Sequence, residues 1–161
     1  MDYKTARPLI QSGDIIAFTH NGWGSLSDIE SQIVRMATRS EYSHVGIAWP
    51  VAGRVMTLEA VVPMIRIFPL SKLLPFYWIS LDKPLVPEAE EFALSRVGES
   101  YSKWEAIKGF FGKTKDNEKW QCAEYVNSVL RKTGGVSRKD TPSAVVFDAI
   151  SNGSTLTLVT K

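Results

Sequence analysis

Three residues have the types and placement to do nucleophilic chemistry together: Cys122, His44 and Glu59. Cys122 is the sole cysteine and sits in Trp120-Gln121-Cys122-Ala123-Glu124-Tyr125. From it Val126, Val129 and Leu130 recur at helical spacing, which predicts an amphipathic helix with the cysteine in its first turn. The unpaired amides and positive dipole end of such a turn favour thiolate over thiol. They also suit charge developing on a substrate carbonyl, with the Gln121 side chain as a further donor. A lone cysteine more often packs inertly in a core, so the reading depends on finding a base.

The chain holds two histidines. His20 lies in the Gly-rich loop His20-Asn21-Gly22-Trp23-Gly24 and reads as a solvated loop residue. His44 lies in Ser43-His44-Val45-Gly46-Ile47-Ala48-Trp49, a strand by pattern. Alternation there puts His44, Gly46 and Ala48 on one face, small enough for a helix to approach, and Val45, Ile47 and Trp49 on the other. The next strand carries Glu59 inside the apolar run Met56 to Val61. If Ala52-Gly53 is the hairpin turn, Glu59 faces Gly46 and stands diagonal to His44. If Val51-Ala52 is the turn, Glu59 faces His44 directly. Both registers keep the two side chains on one sheet face, roughly 5 to 8 Å apart at Cβ. Nucleophile, base and orienting carboxylate are thereby all supplied.

The elements around them form one domain over residues 1–161. Gly13 to Phe18 reads as a turn and strand, with Asp14 capping the turn. Ser27 and Glu30 have capping-box spacing ahead of a helix to about Arg39. Strands follow at Ser43 to Trp49, Val55 to Val61, Met64 to Phe68 and Tyr77 to Leu81. The second half turns helical. Pro87 opens a helix that Gly98 ends, and Ser102 with Glu105 caps another through Phe111. Gly112 to Lys119 reads as a charged loop leading to Cys122, whose helix stops near Gly134-Gly135. Thr141-Pro142 starts a short helix, and Thr155 to Val159 reads as an edge strand. The fold class is therefore α+β, an antiparallel sheet packed against helices.

Composition narrows the function. With 161 residues and 44% hydrophobic content, a single core is sustainable. Nineteen basic and seventeen acidic residues give a net charge of +2 without a basic stripe, which argues against a nucleic-acid surface. One cysteine excludes an internal disulfide framework and a Cys-rich zinc site, and fits a reducing compartment. No signal-like or membrane-spanning run is present in the sequence given, so cytoplasmic location is the expectation.

The order Gly13-Asp14-Ile15-Ile16, Tyr42-Ser43-His44-Val45-Gly46-Ile47, Leu58-Glu59-Ala60, Gly98 to Tyr101 and Cys122-Ala123-Glu124-Tyr125-Val126 resembles the circularly permuted papain-like amidases of the NlpC-type superfamily, the YiiX-like group. The likeness spans roughly residues 12 to 130, with the histidine strand ahead of the cysteine helix. It implies a papain-like fold with Cys122 as nucleophile, His44 as base and Glu59 as polar third member. It also implies that Tyr101 and Tyr42 line the substrate site. Ala123 and Ser102 depart from the serine and acidic residue such enzymes often carry there, which bears on substrate contacts. The implied activity is hydrolysis of a peptide or isopeptide amide, such as one in a cell-wall peptide, without metal or organic cofactor, inside the cell or after phage-type or lysis-dependent delivery. Thioester or lipid-amide chemistry, and a non-catalytic binding module on the same frame, are the competing expectations.

Overall fold

The computed structural model describes residues 1–19, 42–61, 63–99, 117–134 and 140–161, and for 117–121 the backbone only. The expected helix before Arg39, the helix after Ser102, His20 and Tyr101 lie outside the described residues.

Six strands make one antiparallel sheet: β1 Ile15–Thr19, β2 Tyr42–Val51, β3 Arg54–Val61, β4 Met64–Pro69, β5 Phe76–Ser80 and β6 Thr155–Val159. Their order is β4-β3-β2-β1-β5-β6, so Thr155–Val159 is indeed an edge strand. The β2–β3 hairpin pairs Val51 with Arg54 across Ala52 and Gly53. Both turn residues take positive φ, 48° and 74°, as a two-residue hairpin of this twist demands. Of the two registers open to the sequence, the structure adopts the diagonal one.

Four helices complete the described architecture: α1 Tyr3–Ala6, α2 Pro87–Ser95, α3 Asn117–Lys132 and α4 Pro142–Ser151. Pro87 and Pro142 open theirs at the first turn, where a missing N–H costs nothing. Thr141 caps α4 by accepting from the Ala144 amide. Helices α2, α3 and α4 cover one sheet face. Their Ala89, Ala93, Ala123, Val126, Val129, Val145 and Val146 join Val45, Ile47, Leu58 and Ile79 in the main core. The other face is closed by Ala6, Ile10 and Leu70 over Ile16, Ala48, Phe76 and Trp78.

Two expectations need correction here. Helix α3 begins at Asn117, five residues before Cys122, so the thiol sits in the second turn and the last residues of the expected 112–119 loop are helical. And α3 packs on the Val45 and Ile47 face of β2, not on the face with Gly46 and Ala48. Gly46 is small for another reason: a Cβ there would stand 2.6 Å from Thr57 Oγ1 and 3.1 Å from the Leu58 carbonyl oxygen. The crowding comes from β3.

Candidate thiol site

His44 stands where the sheet loses its regular alternation. Phe18 pairs with His44 but Thr19 pairs with Tyr42, leaving Ser43 as the extra residue of a bulge. As a result Tyr42 and Val45, three apart, both enter the main core. Tyr42 is 3% exposed and packs edge-on against Tyr77 at 5.6 Å.

The imidazole of His44 has three neighbours. Phe18 stacks on it at 5.6 Å and 29° between planes. Nε2 donates to Glu59 Oε2 at 2.7 Å. The Cys122 thiol forms a further hydrogen bond to the ring. With Nε2 committed to the carboxylate, Nδ1 is the nitrogen left for sulfur. The three residues singled out by type are thus one connected chain, Cys122 to His44 to Glu59. Cys122 is fully buried and Glu59 is 2% exposed, while the His44 side chain keeps 23% of its surface open. The histidine is the member through which solvent reaches the group.

Burial works against a charged imidazole, but the hydrogen bonds and charges of Cys122 and Glu59 outweigh it and raise the His44 pKa to about 9. Burial likewise works against the Glu59 carboxylate. Its hydrogen bond to His44, the charge beside it and the Arg66 guanidinium overcome that and hold it below the usual carboxylate range. Around neutral pH the pair is therefore an imidazolium against a carboxylate.

Arg66 and Phe18 are the site members that sequence reasoning missed. Arg66 faces Glu59 directly across β3 and β4 and reaches Oε1 with Nε at 2.9 Å and Nη2 at 2.7 Å. A signal for it existed, since the tight turn after Val61 makes an opposite-charge cross-strand pair of residues 59 and 66. Phe18 had none, because the β1–β2 register is set by a connection of more than twenty residues.

The helix start removes one expected part. In a helix beginning at Asn117, the Cys122 amide falls inside the i to i−4 ladder and is not an orphan donor. The dipole's influence also fades beyond the first turn. Electrostatic support for the thiol therefore comes from His44. Gln121 precedes Cys122 in the same helix, and its side chain lies outside the described residues.

Among the described residues the other buried acid is Asp14, just ahead of β1, at 1% exposure. It is structural: Oδ2 accepts from the Gln11 amide and Trp78 Nε1, and Oδ1 from the Leu81 amide.

Among solved structures, the chain is similar to the crystal structure of metalloprotein YiiX from Escherichia coli O157:H7, DUF1105. The two align with a TM-score of 0.50 at 21% identity, over 80% of this chain and 69% of that one. The likeness is one of fold. It agrees with the YiiX-like resemblance carried by the motifs, at that level. No family model matches the chain, and no curated protein matches it in sequence. Among the described residues, no three His, Cys, Asp or Glu side chains group to hold a metal, and Glu59 bonds a resident cation, Arg66. No described helix is long and apolar enough to cross a membrane.

Proposed function

We propose that the protein is a cysteine hydrolase that cleaves an amide bond through Cys122, His44 and Glu59, by way of a thioester acyl-enzyme. The observation that carries the reading is the His44 ring, hydrogen-bonded to a thiol and, at 2.7 Å from Nε2, to a buried carboxylate. An imidazole held between a nucleophile and an orienting anion is the arrangement such chemistry needs.

The steps follow from the charges. In the reactive form the proton of Cys122 resides on His44, and the thiolate attacks the carbonyl carbon, forming the C–S bond. His44 returns the proton to the leaving nitrogen as the C–N bond breaks. Acylation removes the sulfur's negative charge and its hydrogen bond, two of the influences that keep His44 protonated. The neutral ring can then accept a proton from water, which attacks the thioester and releases the acid. Glu59 orients the ring throughout and stays a carboxylate. With the Cys122 amide engaged in the helix, the oxyanion donor proposed is the Gln121 side chain.

The substrate class proposed is a peptide or isopeptide amide, with cell-wall peptides first, and the proposed setting is the cytoplasm. The test is intact-mass analysis of the protein with short cell-wall peptides, isopeptides, acyl thioesters and lipid amides. An acyl adduct on Cys122 and turnover lost in Cys122→Ala and His44→Ala support the reading. Turnover confined to the thioesters or lipid amides would move the activity to acyl chemistry, and no adduct with any member would leave a binding module.

A further inference from the structure

The Glu59 carboxylate is divided between two partners in a way the three-residue account does not use. Both Arg66 contacts, Nε at 2.9 Å and Nη2 at 2.7 Å, fall on Oε1. Oε2 is left to His44 alone. Arg66 is held in turn, with its guanidinium 4.5 Å above the Phe68 ring two residues along the same strand. An exposed cross-strand ion pair contributes little, but here one partner is 2% exposed against 40% for the arginine. A buried carboxylate that loses a cation takes a proton more readily and is free to turn.

We propose that Arg66 is a positioning residue of the thiol site: by fixing Oε1 it keeps Glu59 a carboxylate with Oε2 aimed at Nε2 of His44. The inference rests on the cysteine-hydrolase reading and adds a fourth member to its chain. Along it the Glu59 carboxylate lies between the His44 imidazole and the Arg66 guanidinium. Arg66 touches no reacting atom and acts only through Glu59. Lysine could supply the charge at this position but not the two-pronged grip on one oxygen.

The experiment uses the full chain and five proteins: wild type, Arg66→Gln, Arg66→Lys, Glu59→Gln and the double variant Arg66→Gln/Glu59→Gln. Two readouts are taken. One is the pH profile of iodoacetamide alkylation of Cys122. The other is the NMR signal of the Glu59 carboxyl carbon with the downfield Nε2 proton of His44. Arg66→Gln is expected to raise the pH at which Glu59 protonates, to broaden the Nε2 proton, and to slow alkylation near pH 6 about three- to tenfold. Arg66→Lys should recover part of the rate. In the Glu59→Gln background the same arginine change should alter the rate by less than about twofold, because its route to the thiol is gone. Equal slowing in both backgrounds, or a Glu59 titration and Nε2 signal unmoved by Arg66→Gln, overturns the positioning role. Failure of the hydrolase reading looks different: wild-type Cys122 then labels as an ordinary thiol, whatever the NMR signals do.

Discussion

Two buried carboxylates at the same sheet are put to opposite uses. Asp14, near the start of β1, is surrounded by neutral donors: two backbone amides and the Trp78 indole N–H. Burial there outweighs the hydrogen bonds and its pKa is raised. Glu59, equally buried, meets an imidazole and a guanidinium, and its pKa is lowered. Neutral donors satisfy a carboxylate's oxygens without making it respond to charge elsewhere. Charged partners couple it to whatever they touch, which for His44 includes a thiol. Location in the core does not distinguish a structural acid from a functional one here; the partners do.

That contrast can be broken by mutation. The largest effect expected is on stability, at Asp14. Asp14→Ala strands the Trp78 indole and two amides, and should cost about 3 to 5 kcal/mol in urea unfolding, with Cys122 alkylation at pH 7 changed less than about twofold. A large change in alkylation would mean that the two carboxylates are not separate devices.

The next effect is a pH dependence, and its direction follows from the two shifts. His44 titrates higher in the folded chain, about 9 against an ordinary 6.5. Its contribution is complete below pH 6.5 and is lost as pH rises through 9, up to about 3 kcal/mol. Glu59 titrates below its ordinary 4.5, so its contribution is present above that value and is lost as pH falls through the folded pKa. Stability should therefore be greatest between about pH 5 and 6.5. His44→Gln should flatten the alkaline side, and a slope unchanged by that substitution would place the titrating group elsewhere.

A smaller loss is expected at Gly46. A methyl there meets Thr57 Oγ1 at 2.6 Å and lies 3.3 Å from Glu59 Cβ. Gly46→Ala should destabilise by about 1 to 3 kcal/mol and disturb the His44–Glu59 bond as well, read as a shifted His44 ring titration. The mildest change is Glu59→Gln, which keeps shape and loses charge. It should lower the His44 titration towards 6.5, slow alkylation near pH 6 about tenfold, roughly 1.4 kcal/mol, and remove part of the stability that the raised His44 pKa contributes.

What the sequence disclosed and what it hid divide along the range of the interactions. The Cys122, His44 and Glu59 set was legible because type selects it and because a two-residue turn at Ala52-Gly53 fixes a local register. The starts of α2 and α4 at Pro87 and Pro142, and the ends of α2 and α3 near Gly98 and Gly134, were legible for the same local reason. The helical side of β2 was not. Gly46 and Ala48 look like room for a helix, yet the space is filled by Thr57 and Glu59 of the neighbouring strand, and α3 lies over Val45 and Ile47. Alternation alone cannot tell which partner a small residue answers. The bulge beside Ser43 has no composition of its own, so the burial of Tyr42 could not be read. The early start of α3 could have been, since Asp116 and Asn117 are both capping types ahead of the cysteine.

The account turns on whether the Cys122 sulfur and the His44 imidazole form an activated pair. The direct measurement is the pH dependence of iodoacetamide alkylation of Cys122 in the wild type and in His44→Ala. The account predicts rapid labelling well below the pH at which a free thiol of pKa about 8.5 reacts, lost when the imidazole is removed. Labelling that follows an ordinary thiol in both proteins would contradict it, and would leave a folded chain whose only cysteine is a core residue.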